Sequence, residues 1–131
     1  MMPDFAAALS ASIDLPTHPR SVPTARHLLS ELLIAWDADR FRDDANLLVS
    51  ELVTNVVRYV DDRTSPMVLE VHLSGPGLRV AVVDSSSARA ALVDQPSSDG
   101  GHGLSLVDAL SERWGTEPFG DGKRVWFELR G

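Results

Sequence analysis

The chain has no cysteine among its 131 residues, so it can hold neither a disulfide frame nor a thiolate metal site. Its four histidines, His18, His27, His72 and His102, lack the close spacing of a ligand pair, which argues against zinc. Basic residues are also scarce: 12 Lys and Arg stand against 19 Asp and Glu, for a formal charge of −7. That balance repels a phosphate backbone, and with no local basic patch in the sequence, nucleic acid is not an expected partner. No apolar run reaches the roughly 18 residues that crossing a bilayer requires, so no membrane span is expected. The N-terminus, MMPDFAAALSASIDL, lacks the Lys or Arg of a secretory leader. The expectation is a cytoplasmic protein with protein or small-molecule partners. There is no internal repeat and no low-complexity segment.

What is present is an ordinary globular composition, 44% hydrophobic and 24% charged. A chain of this size buries about two-thirds of the surface its unfolded form exposes, so one core is expected. It reads as a single domain over 1–131, with 1–7 as a loose N-terminal segment.

Residues 8–15, ALSASIDL, alternate weakly and predict an edge strand that stops at Pro16. Ala25, Leu28, Leu29, Leu32, Leu33 and Trp36 then recur at helical spacing, with Ser21 or Thr24 available as an N-cap. A polar break over 37–44 leads to a second helix through LLVSELVTNVVRY (Leu47 to Tyr59), with Asp43 and Asp44 at the end that favours negative charge. Met67 to Leu73 and Leu78 to Asp84 both alternate around the turn SGPG and predict an antiparallel hairpin. Residues 85–101 have no clear period, and for a connector they are long, as a lid or binding loop is. Leu104, Leu106, Val107, Leu110 and Trp114 follow a helical pattern. A last hairpin joins a strand over 114–119 to one over 124–130 around Gly120-Asp121-Gly122. Helices gathered on one face of a mixed, mainly antiparallel sheet make an α+β fold, a two-layer α/β sandwich.

Three features carry chemistry. On the second helix Val49, Val53, Val56 and Val60 form an apolar back, while Glu51, Asn55 and Arg58 project from the other side. Such a front is by itself compatible with a solvated face, although Asn is a poor mid-helix residue and invites a reason. Asp84 shares the face of Leu78, Val80 and Val82, so if that face meets the core, a carboxylate points inward and needs a partner. Gly100, Gly101 and Gly103 surround His102 and open a helix, an arrangement that suits an anion but is also that of a flexible turn.

In this order, Glu51-x-x-x-Asn55, Asp84 and Gly101-His102-Gly103-Leu104 resemble the N, G1 and G2 boxes of the GHKL (Bergerat-fold) ATPases, the superfamily of histidine kinases and gyrase-type ATPases. SELVTNVVRYV, GHGLSLVDALSERWG and GKRVWFELR look most like the bacterial anti-sigma-factor serine kinases, and the resemblance runs from about Leu15 to Leu129. It implies ATP and Mg²⁺ as cofactors, with Asn55 as the metal ligand and Glu51 as the catalytic base. Asp84 would accept a hydrogen bond from the adenine amino group, and Gly101, His102, Gly103 and Leu104 would close over the phosphates. The implied partners are a sigma factor and a STAS-type anti-anti-sigma protein, and the implied assembly is a homodimer. The chain departs from the pattern at Ser85, Ser86 and Ser87, where relatives carry glycines, at Tyr59, where they often carry His, and at Arg124, near a position often held by Thr. Those departures keep a second expectation open, a partner-binding module with the same fold and weakened or lost nucleotide binding.

Overall fold

Alternation and helical spacing become discrete elements in the computed structural model, which describes residues 7–60, 64–85 and 103–131. In chain order they are β1 (Leu9–Leu15), α1 (Ser21–Ala35), a 3-10 turn (Asp39–Phe41), α2 (Arg42–Tyr59), β2 (Met67–Ser74), β3 (Gly77–Asp84), α3 (Gly103–Leu110), β4 (Arg113–Phe119) and β5 (Gly122–Arg130). The strands form one sheet in the order β1-β2-β3-β5-β4, and all four neighbouring pairs are antiparallel. The expected α+β sandwich is the observed architecture.

Register explains the core. Leu69 pairs with Val82 and Val71 with Val80, while on the other side of β3 Val80 pairs with Phe127 and Val82 with Val125. All of these side chains are buried with Leu29, Leu33, Leu48, Leu52 and Val107 from the three helices. β2 alternates buried and half-buried residues along its whole length, as a strand with one face against helices must. β3 behaves otherwise: every residue from Leu78 to Asp84 is buried. Its second face lies under polar side chains. Arg79 Nε donates to Glu128 Oε2 at 2.7 Å, and Arg113 Nε donates to Glu128 Oε1 at 2.9 Å. The Arg79 guanidinium also stacks on Trp126, 5.1 Å from the ring centroid.

Both hairpins turn on two residues, with Ser74 opposite Gly77 and Phe119 opposite Gly122. Gly75 (φ 49°) and Gly120 (φ 58°) take the left-handed conformation that such turns demand at their first central position.

Helix ends depart from the sequence expectation in two places. Neither Ser21 nor Thr24 caps α1, because the Ser21 hydroxyl donates to the Pro16 carbonyl and the Thr24 hydroxyl to that of Arg20. The helical pattern that included Trp114 stops at Leu110. The Ser111 hydroxyl turns back to the Val107 carbonyl and Glu112 N–H donates to Glu128 O, which hands the chain to β4. Trp114 belongs to the strand expected over 114–119, and its indole N–H reaches back to Asp108 Oδ1 at 2.9 Å.

At the other end of α1, Asp37 N–H donates to Ile34 O and Ala38 N–H to Leu33 O, a Schellman closure with Asp37 in the left-handed region (φ 56°). Glycine takes that conformation without strain. Asp37→Gly is expected to stabilise the protein by about 0.5 kcal/mol, the strain relieved less the freedom that Gly adds to the unfolded chain. A urea denaturation midpoint at or below that of the wild type would contradict this.

Candidate functional site

Asp84 ends β3 on the same side as Leu78, Val80 and Val82, and it is buried at 3% exposure. The inward carboxylate has an ionic partner: Lys123 lies opposite it in register, with Nζ 2.9 Å from Oδ2. Sequence reasoning missed Lys123, yet its parity with Val125, Phe127 and Leu129 carries the signal, because a lysine on that face points inward. Next to it, Gly122 leaves no room for a side chain. A Cβ there would sit 1.8 Å from the Asp84 carbonyl oxygen and 2.7 Å from Ser85 Cα. The start of β5 is thus pressed against the end of β3 at Asp84.

Glu51 and Asn55 lie one turn apart on α2, and both are half-buried. The neighbouring Ala45, Leu48, Val49, Leu52, Val53, Val56 and Val57 are buried, so the apolar back and polar front of the helix are both observed. Arg58 is exposed, and its guanidinium lies 6.0 Å from the centroid of the Tyr59 ring. α2 packs against β3, β5 and α3, which brings the helix bearing Glu51 and Asn55 next to the strand that ends at Asp84 and the helix that opens at Gly103. Gly101, His102 and residues 86–100 lie outside the described residues, and so does the side chain of Leu104.

Arg124 is not part of this constellation. It projects from the far side of the sheet, where it bonds Glu70 (Nε to Oε1, 3.0 Å) and Glu117 (Nη1 to Oε2, 2.9 Å) and stacks 4.0 Å from the Phe119 centroid. Burial alone would lower the pKa of this guanidinium, but hydrogen bonds to the two carboxylates outweigh it and raise the value. On the same face, burial holds the His72 imidazole below its ordinary range; Glu70 opposes the shift, and Arg79 and Arg124 add to it. His72 Nδ1 lies 2.9 Å from the Ser10 hydroxyl.

Two surface clefts lie elsewhere. One of about 490 Å³ is lined by Asp108, Glu112, Trp114 and Trp126 among others, and one of about 310 Å³ by Arg40, Phe41, Asp44 and Arg130 among others. Neither is lined by Glu51, Asn55 or Asp84.

No curated protein sequence matches the chain. Among solved structures, the RsbU and RsbW domains of Rv1364c from Mycobacterium tuberculosis align over 94% of the chain at 24% identity, with a TM-score of 0.71. The histidine kinase domain of the blue-light activated histidine kinase of Erythrobacter litoralis EL346 aligns over 88% at 19% identity, with a TM-score of 0.53. This chain spans 32% of the length of the first structure and 61% of the second. At such identities the likeness is one of fold, and it agrees with the motif resemblance. The family model of the histidine kinase-like ATPase domain matches residues 15–128, nearly the whole chain, and the chain therefore belongs to that family.

Proposed function

We propose that this chain is an ATP- and Mg²⁺-binding regulatory protein of the anti-sigma factor type, which sequesters a sigma factor and phosphorylates a serine or threonine on a STAS-type antagonist. The observation that carries the reading is the packing of α2, with Glu51 and Asn55 half-buried on its front, against both β3 and α3. Family membership implies nucleotide binding. The fold likeness to a structure that contains an RsbW domain supports the anti-sigma branch. A cytoplasmic homodimer is part of the same proposal.

The donor set suits the cofactor. Asn55 offers an amide oxygen and Glu51 a carboxylate, both hard ligands, and among the described residues no group of three or more His, Cys, Asp or Glu makes a protein-only metal site. An ion there would draw most of its shell from phosphate and water, as Mg²⁺ commonly does. When bound, Mg·ATP supplies the transferable phosphoryl group and neutralises its charge. Asn55 would hold the ion through its amide oxygen, and Glu51, one turn earlier, would accept the proton of the attacking hydroxyl. Asp84 would orient the adenine by accepting from its amino group. Gly101 and Gly103 would let the backbone approach the phosphates, with His102 and Leu104 in the same closing turn.

A second reading is supported by the Asp84–Lys123 ion pair and by the serines that follow Asp84, Ser85 to Ser87. It is a partner-binding module with the same fold, weakened or lost nucleotide binding and no transfer.

Titration calorimetry with ATP and Mg²⁺ tests the first reading. The wild type is expected to give heat, and Asn55→Ala to lose at least about tenfold in affinity, roughly 1.4 kcal/mol. No heat from the wild type would sink nucleotide binding. Phosphate transfer to a STAS-type protein then separates kinase from module. Glu51→Ala should slow transfer by about 10²–10⁴ while leaving ATP affinity nearly unchanged. Transfer indifferent to that change removes Glu51 as the base, and binding without any transfer favours the module.

A further inference from the structure

Asp84 and Lys123 form the last rung of β3 and β5 on the helix-facing side of the sheet, one step beyond the apolar pair Val82 and Val125. Their side chains are 2% and 8% exposed, and Nζ lies 2.9 Å from Oδ2. The rung itself is fixed. Both backbones are held by strand pairing, and the contact of Gly122 with the Asp84 carbonyl fixes the start of β5 against the end of β3. Any group that hydrogen-bonds the carboxylate therefore does so beside a cation.

This changes what the carboxylate selects. A lone carboxylate accepts only, so it favours the 6-amino group of adenine and repels the 6-oxo oxygen of guanine. With an ammonium alongside, the same edge presents an acceptor and a donor together. Adenine offers an amino donor beside a ring-nitrogen acceptor, whereas guanine offers an oxo acceptor beside a ring N–H donor. Each therefore finds both partners, in opposite order. Lysine suits the task, because its three donors sit on a rotatable head and adjust to either arrangement.

We propose that Lys123 is a base-selectivity residue that makes the site accept guanine as well as adenine nucleotides. The proposal rests on the reading of Asp84 as the base-recognising group. It deepens that reading by assigning a residue that the motif comparison did not mark.

The test is calorimetric titration of the full chain with ADP and with GDP, in the wild type, Lys123→Met and Lys123→Arg. The wild type should bind the two within about tenfold of each other, well short of the discrimination reached by sites that pair only one hydrogen-bonding pattern. Lys123→Met should lose at least about ten times more affinity for GDP than for ADP, and Lys123→Arg, which keeps a donor, should hold the wild-type ratio. A ratio unchanged in Lys123→Met overturns the selectivity role and leaves nucleotide binding standing. A wild-type preference for ADP of about a hundredfold or more overturns it as well, and this measurement decides even if circular dichroism shows that Lys123→Met does not fold. No binding of either nucleotide overturns the selectivity role together with the reading beneath it.

Discussion

Glu128→Ala is expected to destabilise the protein by about 3–5 kcal/mol, the usual consequence of leaving a buried charge without its counter-ion. The Glu128 carboxylate receives two guanidiniums, Arg79 on Oε2 and Arg113 on Oε1, and the side chains of Glu128 and Arg79 are 7% and 3% exposed. Arg113 is 49% exposed and stays hydrated without Glu128, so most of the cost falls on Arg79. That loss is a large part of the roughly 5–15 kcal/mol by which a domain is stable. The melting temperature should fall by about 10–20 °C. The pair itself need not be stabilising relative to apolar packing, and the double variant Arg79→Met/Glu128→Leu should recover most of the loss. A chemical denaturation series of the two singles and the double measures both quantities. A Glu128→Ala variant within about 1 kcal/mol of the wild type would mean that Arg79 finds water or another acceptor.

Gly122→Ala should have the second-largest effect, because the added Cβ would lie 1.8 Å from the Asp84 carbonyl oxygen, and a backbone neighbour cannot rotate away. Relief requires the strands to part at their last rung, at a cost of about 2–3 kcal/mol. The same displacement moves Asp84 and separates it from Lys123. If Asp84 contacts the base, nucleotide affinity should fall at least about tenfold in protein that remains folded. Asp121→Ala, in the same turn but exposed, serves as the control. Wild-type stability in Gly122→Ala would show that β5 shifts without resistance. Lost stability with unchanged nucleotide affinity would detach Asp84 from the site.

The fold was legible because its strands alternate cleanly. Met67, Leu69, Val71 and Leu73 repeat at period two, and so do Val125, Phe127 and Leu129; burial follows that parity in β2, while in β5 Trp126 and Glu128 on the other face are buried as well. The front and back of α2 were legible for the same reason at helical period. Local competition for hydrogen bonds was not. Ser21 and Thr24 have the chemistry of caps, but carbonyls of Pro16 and Arg20 take their hydroxyls. The end of α3 was hidden because Trp114 continues the apolar spacing, while the capture of Glu112 by Glu128 is a contact between residues that only the folded sheet brings together.

The site was legible as a set of residue types and not as a set of partners. Asp84 on an inward face announced the need for a counter-charge, and parity marks Lys123 as inward, but only the pairing of β3 with β5, across about forty residues, sets the two opposite each other. Arg124 attracted notice for its position in GKRVWF, and parity places it on the opposite side from Asp84. The ion pairs of the far face were equally hidden. Glu70, Glu117 and Arg124 come from three strands, and each taken alone is an ordinary polar strand residue.

The strand order has a consequence for biosynthesis. β5 is made after the other four described strands, yet it lies between β3 and β4 in the sheet. Until it leaves the ribosome, the fully buried run Leu78 to Val83 keeps one open edge, and β4 has no partner among the described strands. A nascent or truncated chain therefore displays an apolar strand edge, the template on which aggregation and strand exchange begin. The helices and the β1-β2-β3 part of the sheet have had time to form by then. The quality of the finished molecule depends on how quickly the nine-residue β5 reaches the slot left for it.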